Sequence, residues 1–368
     1  MRGLNPAYIE KLDPEQQTFI LTGPGKRFWD DFVTEKGYHC YIVGNTGSGK
    51  TQKGYWLASW LMHTETIIWI STGKNDEILP LLTLGKPVRI ICPKGCDVKL
   101  QIKNKETGKY EQIPDHPDVV NINDAGTAWW GVKKGHINIF EFRNCFWSKA
   151  KLSQWMGDLF ETLATWTRLR MMPGIFPCSI FADESQWILA GTRISTDSHR
   201  VKTSEIVTEN ALEIRGAGGR LIFFAQDFKN ITPASRENML CTILCRGAMI
   251  DSGDNPRLHE HCTGRQGKKP SSFKPKHGKV VYADGESSPS FLPWSFPLFP
   301  KREADREWIQ RVRVINEGYH DQQPKEAEWQ EECFPELGRF QALAIKPEVQ
   351  EMAESRWNMP AGVEDDQI

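Results

Sequence analysis

Short apolar runs alternate with stretches of helical periodicity through most of the chain. Each run is five or six residues long and is bounded by polar residues, as buried strands are. The predicted strands are 38–43, 66–70, 88–92, 137–142, 178–182, 221–225 and 240–245. The clearest helical spacings predict helices over 52–64 and 149–170. This alternation predicts an α/β fold whose mostly parallel sheet is flanked by helices on both faces.

The remaining segments are polar or irregular and set the expected organisation. Residues 94–123 alternate weakly around a Thr107-Gly108 turn, which predicts a β-hairpin inserted into a core over 38–254. Outside that core we expect an N-terminal arm (1–37) with a short helix at 25–34, a Gly/Pro/Ser-rich closing segment (255–300), one exposed helix (302–318) and an acidic tail (to 368). The C-terminal part is therefore expected to be an irregular extension.

A complete G-x-x-x-x-G-K-[ST] motif lies between the first predicted strand and the first predicted helix. Its residues are Gly44, Asn45, Thr46, Gly47, Ser48, Gly49, Lys50 and Thr51. A glycine-rich turn that opens a helix presents backbone N–H groups to a phosphate. Lys50 is expected to reach the β- and γ-phosphates of ATP, and Thr51 to hold Mg²⁺. The alternative is a chance glycine-rich turn, which the correct flanking elements disfavour.

Two adjacent carboxylates, Asp183 and Glu184, follow the apolar run 178–182. Open α/β sheets keep their sites at the carboxyl ends of strands. There Asp183 is expected to bind Mg²⁺ through water, and Glu184 to activate the water that attacks the γ-phosphate. The alternative is an acidic pair solvated at the surface.

Two further residues flank the run 221–225. Gln226 ends it and is placed to contact both the attacking water and the γ-phosphate. Arg215 precedes the small residues Gly216 to Gly219, and from there it could reach a neighbouring subunit as an arginine finger. An arginine that simply complements a helix C-terminus is an equally good interpretation from these residues alone.

Together these motifs resemble the FtsK/HerA superfamily of DNA-pumping ATPases over about residues 38–250. The resemblance rests on Gly44–Thr51, on Phe181 to Glu184, and on the segment Arg215 to Gln226, with Ala225 where the family usually has Thr. It implies a RecA-like P-loop NTPase core, a homo-oligomeric ring (a hexamer in the family) with ATP between subunits, double-stranded DNA in the channel, and Arg215 acting in trans. We find neither a C-terminal winged-helix domain nor an N-terminal barrel, so the layout is most similar to stand-alone viral genome-packaging or mobile-element DNA-transfer ATPases, with a capsid or transfer-machinery partner.

Composition leaves two alternative functions open. The formal net charge is −1, from 46 basic and 47 acidic residues, so nucleic-acid contact would need a local patch. An ATPase that assembles or secretes protein is therefore the main alternative, and a small-molecule kinase, for which we find no lid or acceptor site, is the other. The sequence shows no run long enough to span a membrane and no secretory signal, which predicts a cytoplasmic protein.

Nine cysteines do not form a disulfide framework pattern. Cys92 and Cys96, and likewise Cys241 and Cys245, are spaced C-x₃-C, and His259, His261 and Cys262 could add ligands. These spacings differ from the C-x₂-C pairs of strong zinc signatures, so buried reduced thiols are the favoured interpretation.

Overall fold

The computed structural model describes most of the chain between residues 38 and 321. The described ranges are 38–71, 75–113, 117–170, 174–190, 195–226, 241–250, 271–272, 278–282, 291–294 and 298–321, with residues 14, 17, 232, 234–235 and 238–239. The chain divides into a unit Met1–Asp321 and a unit Gln322–Ile368. The predicted helix at 25–34 and the acidic tail lie outside the described residues.

Five α-helices and fifteen strands have both of their ends within the described residues. The helices are α1 (Lys50–Leu61), α2 (Ala128–Gly131), α3 (Lys149–Leu169), α4 (Ser198–Gly216) and α5 (Glu303–Arg311). The strands are β1 (Cys40–Val43), β2 (Thr66–Ser71), β3 (Val88–Pro93), β4 (Asp97–Lys103), β5 (Tyr110–Gln112), β6 (Asp118–Ile122), β7 (Ile137–Glu141), β8 (Cys178–Ala182), β9 (Gly219–Ala225), β10 (Cys241–Leu244), β11 (Met249–Ile250), β12 (Ser271–Ser272), β13 (Gly278–Tyr282), β14 (Phe291–Trp294) and β15 (Val312–Glu317). Short 3₁₀ helices cover Asn75–Thr83, Arg143–Cys145 and Ser185–Trp187.

A ten-stranded sheet forms the centre of the described structure, in the order β14-β13-β10-β1-β9-β8-β2-β7-β3-β6. The eight strands from β10 to β6 are parallel, and β13 and β14 continue the sheet antiparallel. Strands β1, β2, β8 and β9 are buried along their whole length, as their apolar runs require. The predicted α/β fold with a mostly parallel sheet is confirmed.

Alternate side chains of the central strands meet helices on opposite faces. Phe224 packs against Trp69 (ring centroids 5.4 Å apart), and Trp69 stacks on Tyr55 of α1 at the same distance. Its neighbour Phe223 instead contacts Phe160 of α3. Since successive residues of a strand point to opposite faces, α1 covers one face, while α3 and the adjoining α4 cover the other.

Three sequence predictions differ from the structure at their boundaries. Within 94–123, β4 and β5 do pair as a hairpin, but β6 joins the main sheet beside β3. The prediction of one helix over 302–318 is wrong in its second half. Helix α5 ends at Arg311, and the residues that follow form β15, which pairs with β4 in a small separate sheet. The closing segment 255–300 contributes β13 and β14 to the main sheet, and β12, which pairs with β11.

The described cysteines are free and buried. Cys40 and Cys241 lie opposite each other on neighbouring strands, and the Cys96 thiol donates to the Cys145 carbonyl oxygen (3.4 Å). Among the described residues no group of three or more His, Cys, Asp or Glu side chains could hold a metal ion. His259, His261 and Cys262 lie outside the described residues.

Candidate nucleotide site

The glycine-rich motif forms the turn between β1 and α1. Gly47 and Gly49 have φ angles of 75° and 82°, the left-handed region that glycine tolerates best. The ammonium of Lys50 donates to the carbonyl oxygens of Gly44 (2.7 Å) and Asn45 (3.1 Å), so the side chain lies along the inside of the loop. Burial lowers the pKa of Lys50. The loop therefore has the form of a phosphate cradle, with a cation at its centre.

The ends of two neighbouring strands hold this loop in place. The Gly44 N–H donates to the Ala225 carbonyl oxygen (3.1 Å), and the Asn45 N–H donates to that of Arg246 (3.3 Å). A Cβ on Gly44 would lie 2.6 Å from the Cβ of Cys245. A larger residue at position 44 would therefore push the loop away from the strand ends that position it.

The acidic pair follows β8 at the same edge of the sheet. Asp183 is buried, and its pKa is raised to about 8, first by burial and then by a hydrogen bond with Glu77 and by the charges of Glu77 and Glu184. Glu184 has a φ of 50°, an uncommon left-handed conformation for a residue other than glycine. Its carboxylate accepts a hydrogen bond from the Trp187 indole N–H (3.3 Å). The turn thus directs two neighbouring carboxylates differently, one buried and one partly accessible.

Glu77 is a third carboxylate at this site, and the sequence analysis missed it. It lies in the 3₁₀ helix that follows β2, the strand next to β8. The Tyr55 hydroxyl donates to its backbone carbonyl oxygen (2.6 Å), which ties this short helix to α1. The signal that could have found Glu77 is its position shortly after a buried strand, where parallel neighbours end at a common edge.

Strand β9 lies between β1 and β8, and Gln226 follows its last residue. Gln226 is exposed and lines a cavity of about 550 Å³, a size common for small-molecule sites. The cavity is lined by Thr46, Gly47, Gly49, Lys50, Thr51, Gln52, Glu77, Asp183, Glu184, Ser185, Phe224, Ala225, Gln226 and Leu298. Eight of the predicted functional residues thus share one cavity: Thr46, Gly47, Gly49, Lys50, Thr51, Asp183, Glu184 and Gln226.

Arg215 lies at the opposite edge of the sheet. It is in the last turn of α4, just before β9, whereas Gln226 follows the far end of that strand. The seven residues of β9 span about 20 Å at the usual rise of an extended chain. Arg215 therefore cannot touch a phosphate bound in the cavity of its own chain, and any catalytic role requires a second subunit.

A buried polar cluster fixes the turn that carries Arg215. The His39 Nδ1 accepts from the Leu221 N–H (3.0 Å), so its Nε2–H donates to the Ala211 carbonyl oxygen on α4 (2.7 Å). Beside it, Arg220 and Glu65 form a buried ion pair (2.7 Å), and Glu65 also accepts from a serine hydroxyl. These contacts join β1, α4 and β9 at the amino edge of the sheet.

The donor set of the cavity fits Mg²⁺. A magnesium ion prefers oxygen ligands and keeps much of its water. Thr51 and Asp183 supply a hydroxyl and a carboxylate oxygen in the cavity, with a second carboxylate on Glu77 beside Asp183. The carboxyl groups of Glu77, Asp183 and Glu184 lie near the single ammonium of Lys50, and a bound cation would offset the negative charge that they bring together.

Comparison with solved structures finds similar chains that include a genome packaging NTPase, a conjugation coupling protein and a Type VII secretion ATPase. The genome packaging NTPase B204 from Sulfolobus turreted icosahedral virus 2, in complex with sulfate, is 10% identical over 71% of this chain and 97% of that one, with a TM-score of 0.38. The pCW3 conjugation coupling protein TcpA is 15% identical over 75% of this chain and 65% of that one (TM-score 0.39). EssC (ATPases 2 and 3) from Geobacillus thermodenitrificans is 11% identical over 75% and 43% (TM-score 0.39).

No protein-family model and no curated protein sequence matches the chain. Within the described residues, no helix is long and apolar enough to cross a membrane.

Proposed function

We propose that the protein is an ATP-hydrolysing motor that moves double-stranded DNA, in viral genome packaging or in DNA transfer by a mobile element. The observation that carries the proposal is the meeting of Lys50 and Thr51 with Asp183, Glu184 and Gln226 around one cavity. A phosphate loop alone provides binding, whereas the adjoining acidic pair and strand-end amide supply what hydrolysis needs.

In the proposed reaction each side chain of the cavity has a separate role. The loop N–H groups and Lys50 bind the phosphates, while Thr51 and Asp183 would hold Mg²⁺, which offsets phosphate charge. Glu184 orients the attacking water and accepts its proton. Gln226 contacts the γ-phosphate from the neighbouring strand end, so its position depends on whether that phosphate is present.

Arg215 would complete the site of a neighbouring subunit in a ring, which we propose to be a hexamer from the family resemblance. The separation of Arg215 from its own cavity supports this trans role, as does the rigid anchoring of its turn. A mixing experiment tests it. Neither Arg215→Ala nor Glu184→Gln subunits should hydrolyse ATP alone, and mixtures should regain part of the activity. Wild-type rates for Arg215→Ala alone would contradict the trans role.

Contact with DNA is supported by an exposed basic and aromatic surface at the end of α3. Trp130 is 64% exposed and packs edge-on against Trp166 (5.1 Å). Four exposed cations lie near these rings along the chain. Lys133 and Lys134 follow α2, and Arg168 and Arg170 lie at the end of α3. Trp129, which precedes Trp130 in the chain, is fully buried, so of these two adjacent rings only that of Trp130 is available to a partner. Lysine and arginine groups of this kind bind phosphates without regard to base sequence.

The basic residues at the start of α4 are a second candidate for phosphate contact. The helix begins at Ser198, and the Asp197 side chain caps it by accepting from the His199 N–H (3.0 Å). The guanidinium of Arg200, on α4, donates a hydrogen bond to the Ser153 hydroxyl (3.2 Å) and lies over the Trp187 ring (3.6 Å). Because Arg200 is engaged in these internal contacts, the surface near Trp130 is the better candidate for binding DNA phosphates.

A triplex-displacement assay separates the DNA motor from a protein-directed ATPase, the alternative favoured by the net charge of −1. Wild-type protein with ATP should strip a third strand from a DNA duplex. Glu184→Gln should bind the duplex without stripping it, and Lys50→Ala should fail because it cannot bind nucleotide. Vigorous ATP hydrolysis with no displacement on any duplex would favour the protein-directed alternative.

A further inference from the structure

Lys53 is a buried lysine that lies beside the phosphate loop. Only 8% of it is exposed, although its side chain ends in an ammonium. It lies one turn into α1, and helix side chains tilt towards the helix N-terminus. The ammonium accordingly donates to the Gly49 carbonyl oxygen (3.4 Å). Gly49, Lys50 and Thr51 line the cavity but Lys53 does not, so its charge would reach a bound ligand through the loop.

Lys53 has no charged partner in the part of the chain that the structure describes. None of the ion pairs found there includes it, and the first turn of α1 contains no acidic residue. The Cys245 thiol lies next to the ammonium, but burial raises the pKa of that thiol, so the sulfur carries no charge near neutral pH. Buried lysines are normally paired, because a charge that leaves water must recover its lost hydration elsewhere. The long hydrogen bond to Gly49 does not replace an ion pair.

The position of this charge is unfavourable in the nucleotide-free protein. The N-terminus of a helix carries about half a positive charge, which repels a cation. Lys50, the first residue of α1, already brings one ammonium to this end of the helix. A polyphosphate chain bound by the loop would reverse the balance, because it would supply the negative charge that Lys53 lacks.

We propose that Lys53 is a second cation of the phosphate site, a positioning residue that attracts a bound triphosphate through the loop and destabilises the nucleotide-free protein. The inference deepens the proposed function and rests on it, because it assumes that the cavity binds a nucleoside triphosphate. A lysine that only packed α1 would stabilise the free and the bound protein alike. The sign of its effect on the free protein therefore separates the two roles.

The variant Lys53→Met tests the proposal, because methionine is unbranched, favours helices about as well as lysine and carries no charge. Thermal unfolding of the full chain without nucleotide should give a melting temperature a few degrees above that of the wild type, since a buried unpaired charge is removed. Calorimetric titration with ATPγS and Mg²⁺ should show binding weakened about tenfold, the order expected for charges several ångströms apart near a protein surface. The loss should be smaller for ADP, which carries one negative charge fewer.

The matched control is Lys109→Met. Lys109 is exposed between β4 and β5 and does not line the cavity. The same substitution there removes the same charge from the chain, but should alter neither the melting temperature nor the affinity for either nucleotide.

Three results would overturn the role of Lys53. A melting temperature of nucleotide-free Lys53→Met below that of the wild type, or failure of the variant to fold, would show that the lysine stabilises α1. Unchanged affinity for ATPγS would show that its charge does not reach the ligand. An equal loss for ATPγS and ADP would show that the variant distorts the loop. Failure of the wild-type chain to bind either nucleotide is a separate outcome, which would overturn the proposed function itself and the role of Lys53 with it.

Discussion

His39 makes the stability of the protein depend on pH in a calculable way. The imidazole is fully buried, and burial lowers its pKa from 6.5 to about 4, with the nearby Arg215 and Arg220 acting in the same direction. A protonated ring has two N–H donors and could no longer accept the hydrogen bond from the Leu221 N–H. The folded protein therefore keeps His39 neutral under conditions in which the unfolded chain takes up a proton.

The size of the effect follows from the two pKa values. Well above pH 6.5 neither state is protonated at this residue, and the full stability is present. As the pH falls from 6.5 towards 4, the unfolded state binds the proton first, so the free energy of unfolding decreases by at most about 1.4 kcal/mol per pH unit. The total loss is about 3 kcal/mol, a large part of the 5–15 kcal/mol that stabilises an ordinary domain.

Urea unfolding followed by tryptophan fluorescence between pH 4.5 and 7.5 measures this loss. His39→Asn keeps an acceptor for the Leu221 N–H and cannot titrate, so it should be less stable at pH 7 yet lose less stability on acidification. His199→Asn, at an exposed position on α4, is the matched control and should follow the wild type. Identical pH dependence in wild type and His39→Asn would refute the reasoning.

Three other predictions test packing, electrostatics and catalysis. Gly54→Ala should destabilise the fold by about 1–3 kcal/mol, because the new Cβ would lie 2.4 Å from the Phe224 ring, whereas Gly216→Ala meets no atom within 4 Å and should be near neutral in thermal melts. Glu65→Gln should cost about 3–5 kcal/mol in urea unfolding by leaving its buried arginine partner uncompensated, and a change below about 1 kcal/mol would contradict the assigned pair. Glu184→Gln should retain ATP affinity and lower the hydrolysis rate about 10²–10⁴-fold, and a rate near wild type would remove it as the base.

The sheet could be predicted from the sequence because its strands are apolar runs that the fold buries completely. The phosphate loop and the acidic pair could also be located, since both depend on short motifs next to such runs. Arg215 and Gln226 could be placed at opposite ends of one strand from their spacing alone. These features share one property: residues near each other in the sequence determine them.

The features that the sequence analysis missed depend on distant segments or on weak boundaries. Val312 to Glu317 follows α5 without a glycine or proline, and only pairing with β4 shows that it is a strand. Glu77 approaches Asp183 because two strands distant in sequence are neighbours in the sheet. Leu298 reaches the cavity through a contact between residues 52 and 299, for which no local pattern gives a signal.

The rate of ATP hydrolysis with and without nucleic acid tests the central claim most directly. It should be measured with double-stranded DNA, single-stranded DNA and RNA at two salt concentrations, with Lys50→Ala as the blank. The DNA-motor account predicts strong stimulation by double-stranded DNA that weakens at the higher salt concentration, because phosphate contacts release counterions. Steady hydrolysis that no nucleic acid alters would contradict it.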